Sequence, residues 1–197
     1  MATIEFFWDV GSPYTYLAST QIDWLRSETG AEVVFKPFLL GGVFRATGNE
    51  MPARIPQKAA FMMKDVARWA RLYDIPVKLP GETPFPINGL LPMRVAILLE
   101  QQGQGETYCH AAFKAYWAEG RDVSQPEILA EVIAGLGLDS ETILAQAVTP
   151  ENKKALIDAT EGAVARGAFG APAFFVGDEM FWGNDRLVQL VHHLKSA

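Results

Sequence analysis

Ser12 is the residue with the clearest chemical setting, because it stands where a hydrophobic strand gives way to a helix. The stretch Ile4–Leu17 begins as an alternating apolar strand, breaks at Gly11 and resumes as a helix at Pro13. Serine is a favoured N-cap, and proline is favoured as the first helical residue. Since a helix start favours an anion, Ser12 is either a simple cap or a hydroxyl placed to hold a thiolate or carboxylate.

A second candidate for a site lies near the C-terminus. Residues 173–176 are apolar and predict a short buried strand, and Gly177-Asp178 is typical of a hairpin turn. Residues 180–182 then predict the partner strand, and Asn184 or Asp185 predicts the cap of a final helix. The segment therefore predicts two antiparallel strands followed by a helix.

Composition argues against several classes of function. The 197 residues carry a net charge of −6 and have a pI near 5.1, whereas a nucleic-acid-binding face is basic. No apolar run is long enough to span a membrane, and no signal-peptide pattern is visible. The single cysteine, Cys109, excludes an internal disulfide and a CxxC pair, and the histidines show no metal or triad pattern. We expect a cytoplasmic protein with no metal and no nucleic-acid or membrane partner.

The middle of the chain is predicted to be helical, between two strand-bearing ends. A helix from Pro13 to about Glu28 leads into a strand over Glu32–Phe38. Gly41-Gly42 predicts a loop, and residues 43–57 predict an irregular segment. The other predicted elements are helices over Lys58–Tyr73, Leu91–Gln102, Glu106–Trp117, Gln125–Leu136, Ser140–Val148 and Pro150–Arg166, with an ordered proline-rich loop over 76–92.

The order of elements is βαβ, then a helical block, then ββα. This order predicts an α/β thioredoxin-like fold with a large all-helical insertion. Residues 1–39 and 166–197 would form the thioredoxin-like domain, and residues 40–165 the helical insertion. In this arrangement Pro172 precedes the third strand and faces the start of the first helix, where an X-Pro bond in cis is expected. The backbone of Ala171 would then be available to pair with an extended peptide.

Four sequence features carry a resemblance to a known family. They are Phe7-Trp-Asp-Val-Gly-Ser-Pro-Tyr-Thr-Tyr, Gly48-Asn49 with Lys58, Asp65 and Arg68, Gly170-Ala-Pro, and Phe175-Val-Gly-Asp-Glu-Met-Phe-Trp-Gly-Asn-Asp-Arg-Leu. With these features the chain, over nearly its whole length, resembles the family of kappa-class glutathione transferases and 2-hydroxychromene-2-carboxylate isomerases. That family is a branch related to the DsbA-like thioredoxin fold, so the resemblance implies glutathione as cofactor and a homodimer.

The resemblance also implies where glutathione would bind. Ser12 would hold the sulfur, in place of the redox cysteine of disulfide oxidoreductases. Ala171, before Pro172, would bond the cysteinyl backbone. Asn49 and Lys58 match positions that reach the glycyl end. The γ-glutamyl end would be held by Trp182, Gly183, Asn184 and Asp185.

Most of these residues also have a simpler interpretation. Asp185 is equally suited to cap the final helix, Lys58 to be a surface charge, and Trp182 to belong to the core. Asp65 and Arg68, one helical turn apart, predict a solvated ion pair. The chemistry nevertheless supports the implied roles, because a hydroxyl can donate to a thiolate, and charged side chains can pair with the ends of glutathione.

The resemblance implies an isomerase in which glutathione adds reversibly to a conjugated double bond of an aromatic substrate. Arg45 and Arg54 are candidates to hold the substrate carboxylate, and Phe85 is a further substrate-binding candidate. The chain departs from the expected pattern because a lysine expected soon after the second strand has no match. A kappa-like transferase and a protein that binds glutathione or a peptide without turnover remain the alternatives.

Overall fold

The sheet contains the strands that the two ends of the sequence predict. The computed structural model describes residues 2–78 and 84–196. The described strands form one sheet in the order β2-β1-β3-β4, in which β1 and β2 are parallel and the other pairs antiparallel. The strands are β1 (Thr3–Trp8), β2 (Glu32–Pro37), β3 (Ala173–Val176) and β4 (Glu179–Trp182). The predicted βαβ and ββα units are thus confirmed.

Helices fill the chain between β2 and β3, as the sequence predicts. The described helices are α1 (Pro13–Ser19), α2 (Ile22–Thr29), α3 (Leu40–Thr47), α4 (Pro56–Leu72), α5 (Leu90–Gln101), α6 (Gly105–Phe113), α7 (Pro126–Ala134), α8 (Ser140–Ala147), α9 (Pro150–Ala165) and α10 (Leu187–Ser196). Short 3₁₀ turns lie at Pro52–Arg54 and Asn184–Arg186. Within the described ranges, no helix is long and apolar enough to cross a membrane.

The prediction of one continuous helix from Pro13 to Glu28 is wrong, because the helix stops after Ser19. The hydroxyl of Ser19 donates to Tyr16 O at 2.7 Å, and that of Thr20 donates to Leu17 O at 2.7 Å. Such bonds to backbone carbonyls compete with the helical ladder. A new helix then starts at Ile22 and ends at Gly30, which has the left-handed conformation. The first helix is therefore short.

The prediction of a loop at Gly41-Gly42 is also wrong, since both glycines lie inside α3. A Cβ at Gly42 would stand 3.0 Å from Thr160 Cγ2 on α9. The glycine therefore allows α3 and α9 to approach closely. In the sequence, a glycine needed for close packing looks the same as a glycine needed for a loop. The segment predicted as irregular, 43–57, is helical at both of its ends.

The predicted helix over Glu106–Trp117 changes geometry partway along. It is α-helical to Phe113 and continues as a π-helical turn over Lys114–Ala118. This turn places Trp117 so that its Nε1 donates to Val10 O at 2.8 Å. This bond ties the helical block to the segment that follows β1.

Both faces of β1 are buried. Ile4, Phe6 and Trp8 belong to the main core, together with residues of α5 and α6, and each is fully buried. Phe7 points to the other face, where Phe175 packs in a second cluster that includes a residue of α9. Burying each of these side chains contributes about 1.5–3 kcal/mol, so the end of β1 is firmly placed.

Among the described residues, two peptide bonds before proline are cis, Phe85–Pro86 and Ala171–Pro172. The second confirms the cis geometry predicted at Pro172. The described residues of the proline-rich loop predicted over 76–92, which are 76–78 and 84–89, lie outside helices and strands, and α5 begins at Leu90. Part of that predicted loop, 79–83, lies outside the described residues.

Candidate functional site

Ser12 forms the N-cap of α1, and its hydroxyl also reaches across the molecule. The side chain is only 4% exposed, and its Oγ accepts a hydrogen bond from Thr15 N at 3.2 Å. The same Oγ donates to Ala171 O at 3.0 Å. A hydroxyl has one proton, so the proton of Ser12 is directed at Ala171. Ser12 is therefore both the N-cap of α1 and a hydrogen-bond donor to Ala171.

The turn after β4 closes around Ala171 from the opposite side. Gly183 has a φ of +108°, a conformation that favours glycine, and its N–H donates to Pro172 O at 3.0 Å. Trp182 lies over Gly170, where a Cβ would stand only 2.6 Å from the indole Nε1. Trp182 is 46% exposed, so it is not a core residue.

A first cavity of about 370 Å³ lies between these elements. It contains most of the residues that the sequence assigns to a glutathione site, although they come from distant parts of the chain. The members from that assignment are Ser12, Asn49, Ala171, Trp182, Gly183, Asn184 and Asp185. Phe85, a predicted substrate residue, lines the same cavity.

One end of this first cavity is acidic. Tyr14 donates its hydroxyl to Asp65 Oδ2 at 3.0 Å, and both residues line the cavity. Burial raises the pKa of Tyr14, and the charges of Asp65 and Asp185 raise it further, so the phenol stays neutral. The prediction that Asp65 only pairs with Arg68 is wrong, since Asp65 faces the cavity. Asp185 Oδ2 is already paired with Arg186 Nη1 at 2.6 Å, and Arg186 lines the same cavity, so Asp65 is the carboxylate at this end that forms no ion pair among the described residues.

Asn184 lies at this end of the cavity with its side-chain amide buried. The side chain is 3% exposed, and Nδ2 has no hydrogen-bond partner in the described part of the protein. Burial raises the pKa of Tyr73, and the nearby amide of Asn184 opposes this rise. The Asn184 amide and the Tyr73 hydroxyl nevertheless do not form a hydrogen bond. A buried amide hydrogen without a partner is costly, and because this nitrogen has almost no exposed surface, it is closed to a ligand in this structure.

A second cavity, of about 750 Å³, adjoins the first and shares Gly11, Phe44 and Asn49 with it. Arg45 and Arg54, the predicted carboxylate-binding residues, both line this second cavity. Arg54 donates to Glu50 Oε1 at 3.2 Å, whereas Arg45 forms no ion pair among the described residues. Arg45 is therefore the better placed of the two to bind an anion.

The carboxylate of Asp9 lies at the inner side of the second cavity. It is 3% exposed and accepts two backbone hydrogen bonds, from Gly11 N and from Leu40 N. Burial raises the pKa of Asp9 to about 6, although the two amides act in the opposite direction.

Asn49 and Lys58, the two residues predicted to reach the glycyl end, are placed differently from each other. Asn49 Nδ2 donates to Phe169 O at 2.8 Å, which ties the end of α3 to the segment before Ala171. Lys58 lies in the first turn of α4, is exposed and is not among the residues that line either cavity. The structure therefore brings Asn49, but not Lys58, to the cavity.

Sequence reasoning missed Trp117 and the cavity role of Asp65. Trp117 had no visible signal, because its bond to Val10 joins residues far apart in the chain. Asp65 stood among the residues that carried the family resemblance, and that position was a signal for a role in the site. Of the aromatic residues near Ser12, Tyr14 lines the cavity, and Phe7, Trp8 and Tyr16 are buried.

Comparison with known proteins identifies the family. Residues 3–195 match the model of the DSBA-like thioredoxin domain. A 2-hydroxychromene-2-carboxylate isomerase of Sphingobium xenophagum is 31% identical, over 98% of this chain and 97% of its own. Glutathione S-transferase kappa 2 of Caenorhabditis elegans is 30% identical, over 97% of this chain and 91% of its own.

A solved structure shows the same similarity. That of a 2-hydroxychromene-2-carboxylate isomerase superimposes with a TM-score of 0.89 at 28% identity, covering 98% of this chain and 95% of the other. The cis bond before Pro172 and the sheet order are those expected for the thioredoxin-like fold. The chain belongs to the DSBA-like thioredoxin family, in the branch of the 2-hydroxychromene-2-carboxylate isomerases and kappa-class glutathione transferases.

Proposed function

We propose that the protein is a glutathione-dependent cis-trans isomerase of 2-hydroxychromene-2-carboxylate-type aromatic acids. The observation that carries the proposal is the cavity in which the Ser12 hydroxyl, the Ala171 carbonyl and the turn 182–185 come together. The chain is also similar to enzymes named for this activity. Serine in place of cysteine at the start of α1 argues against disulfide exchange, because a hydroxyl forms no disulfide.

The residues around the first cavity fit glutathione by their chemistry. Asp65, which forms no ion pair among the described residues, suits the γ-glutamyl ammonium, and Asp185 would join it by exchanging its partner Arg186. Asn49 lines the cavity where the glycyl end would lie, and Lys58, which lines neither cavity, has no contact in the structure that supports its implied role.

When bound, glutathione would supply a thiolate that adds to the conjugated double bond of the substrate and is expelled after the bond has rotated. Ser12 would stabilise this thiolate by donating a hydrogen bond. In the structure its proton is directed at Ala171 O, so the hydroxyl must rotate toward the sulfur. A cysteinyl N–H placed on Ala171 O would compensate that carbonyl for the lost bond.

The second cavity suits the aromatic acid. Arg45 would hold the carboxylate, and its lack of an ion pair in the described ranges means that no internal salt bridge has to break. Phe44 lines both cavities, so it can contact an aromatic ring that lies between the sulfur and Arg45. The enolate-like oxygen that forms during addition would also lie near this cation.

A kappa-like glutathione transferase is the second candidate function. The observation that favours it is 30% identity to a kappa-class transferase over nearly the full length of both chains. The same two cavities would serve an electrophile and glutathione. The two functions differ in the fate of glutathione, which an isomerase returns and a transferase consumes.

One assay set separates these functions. The protein is incubated with glutathione and either 2-hydroxychromene-2-carboxylate or a chlorinated aromatic electrophile, and both product and remaining thiol are measured. Product with unconsumed glutathione supports the isomerase, and stoichiometric consumption supports the transferase. Glutathione binding without turnover of either substrate would reject both enzymes and leave a binding protein.

A matched pair of variants tests the substrate carboxylate. Arg45→Gln should raise KM for the aromatic acid by roughly tenfold, because one charge-assisted bond is lost. Arg68→Gln is the control, since Arg68 is exposed on α4 and lines neither cavity. Equal KM values for the two variants would remove Arg45 from substrate binding.

A further inference from the structure

Asp9 takes no part in the proposed reaction, yet it lies where the two halves of the site meet. Its Oδ1 accepts from Gly11 N at 2.7 Å, and its Oδ2 accepts from Leu40 N at 2.7 Å. Gly11 directly precedes Ser12, and Leu40 is the first residue of α3. One buried carboxylate therefore bonds the serine turn on one side and α3 on the other.

The position of α3 decides how the two cavities are arranged. Phe44 of α3 and Asn49, just after it, line both cavities. A movement of α3 relative to Ser12 would therefore change the distance between the thiol and the aromatic substrate. Reaction rates are sensitive to such displacements, because reacting atoms must lie within near-attack distance.

The space around Asp9 leaves the carboxylate little freedom to move. A Cβ at Gly11 would stand 3.2 Å from Asp9 Oδ1, and a Cβ at Gly89 would stand 3.4 Å from it. A side chain at Gly11 would therefore press on the carboxylate, whereas one at Gly89 would be in ordinary van der Waals contact with it. The close fit and the two short bonds indicate a specific arrangement.

We propose that Asp9 is a positioning residue, whose carboxylate holds the serine turn and α3 at the separation that the reaction needs. The kinetic part of this inference rests on the proposed function. The structural part does not, since it concerns only how Gly11, Leu40 and the rest of α3 respond to Asp9.

Protonation of Asp9 would weaken this link. A neutral carboxyl group replaces one acceptor by a hydroxyl, so one of the two amides loses a strong partner. Burial raises the pKa of Asp9 to about 6, so the change falls in an accessible range. The charged side chains lining the same cavity are Arg45, Glu50 and Arg54, and the serine turn and residues 86–90 add none.

The structural test is an amide NMR titration of the wild-type protein across about pH 5 to 7, around the pKa of about 6. The amides of Gly11 and Leu40 should shift with one midpoint, and those of Arg45 and Asn49 should follow the same transition. If the Arg45 and Asn49 amides do not follow, Asp9 does not control α3 and the proposal is overturned. This test needs neither a variant nor turnover.

The kinetic test compares Asp9→Asn with the wild type in the presence of glutathione and whichever substrate is turned over. The amide can accept only one of the two bonds, so kcat should fall roughly tenfold at pH above the transition. KM for glutathione should change by less than about twofold, and the acid limb of the wild-type rate profile should disappear. A variant that keeps the acid limb and the wild-type kcat would overturn the proposal.

Asp139→Asn is the matched control. Asp139 also accepts two backbone amides, from Glu141 and Thr142, but it is exposed and lines neither cavity. It should leave the rate profile unchanged. If the wild-type protein turns over neither substrate, the proposed function fails, and the titration still decides whether Asp9 couples the serine turn to α3.

Discussion

Replacing Ser12 by alanine tests the centre of the site, because its hydroxyl has two separable duties. As a cap, Oγ accepts from Thr15 N at 3.2 Å, and loss of such a cap costs about 1 kcal/mol, within a range of about 0.5–2 kcal/mol. The Ala171 carbonyl also loses its donor. We therefore expect a loss of about 1–2 kcal/mol in the free energy of unfolding.

The second duty is to stabilise the thiolate of bound glutathione. A hydrogen bond to a charged group contributes about 1.5–3 kcal/mol, which corresponds to roughly one to two pKa units. A donor lowers the pKa of the thiol, so Ser12→Ala should raise the pKa of bound glutathione by that amount. The short first helix adds little to this stabilisation, since α1 has only 7 residues.

The assay follows the ultraviolet absorbance of the thiolate while the complex of protein and glutathione is titrated with base. Ser19→Ala is the control, because Ser19 is on the same helix and donates only to Tyr16 O. It should lose stability without changing the pKa of the thiol. A folded Ser12→Ala protein whose bound thiol keeps the wild-type pKa would refute the role of the hydroxyl.

Three further outcomes follow from the structure. Burial raises the pKa of Asp9 in the folded protein to about 6. The stability that this group contributes is therefore present below about pH 4 and is lost as the pH rises toward 6. Across that window the free energy of unfolding of the wild type, measured with urea, should fall by about 3 kcal/mol relative to that of Asp9→Asn. If the free energy of unfolding of the wild type instead rose relative to that of Asp9→Asn, the pKa of Asp9 would not be raised by burial. Trp117→Phe removes the donor to Val10 O and should lower the free energy of unfolding by about 1–3 kcal/mol in the same assay, and an unchanged value would mean that another group replaces the donor. Gly170→Ala places a Cβ 2.6 Å from Trp182 Nε1, and because this exposed side chain can swing away, calorimetry should show a roughly fivefold loss of glutathione affinity with little loss of stability. Unchanged affinity would separate Trp182 from the glutathione site.

Asp9 shows how the proposed function and stability can oppose each other in one residue. Ionised Asp9 accepts two amide hydrogens and is the form that would hold α3 in place. Burial disfavours that charged form, so the protein is less stable where the carboxylate is ionised. Such a cost is common where a buried group serves a site.

Short-range patterns in the sequence predicted much of the fold. The alternation in β1, the hairpin turn at Gly177-Asp178 and the Ser12 cap depend on neighbouring residues, and all three are found. The cis bond before Pro172 was expected from its place before the third strand. Local geometry was readable because strand period, turn residues and caps are properties of a few consecutive residues.

Glycine was the least reliable local signal. Gly41-Gly42 predicted a loop but lies within α3, where Gly42 allows close contact with Thr160 of α9. Gly30 and Gly183, by contrast, have positive φ angles, as a turn or helix end requires. A glycine is thus required either by the local backbone conformation or by close packing, and only close packing depends on an element distant in the sequence.

The contacts that make the site were decided by the tertiary structure. Ser12 meets Ala171, and Tyr14 meets Asp65, because helices and strands far apart in the chain pack around one sheet. The bonds of Asp9 to Leu40 and of Trp117 to Val10 are of the same kind. The sequence determined which groups are present and their local conformations. Only packing determined which of those groups approach each other, because a hydrogen bond between distant residues leaves no periodic trace along the chain.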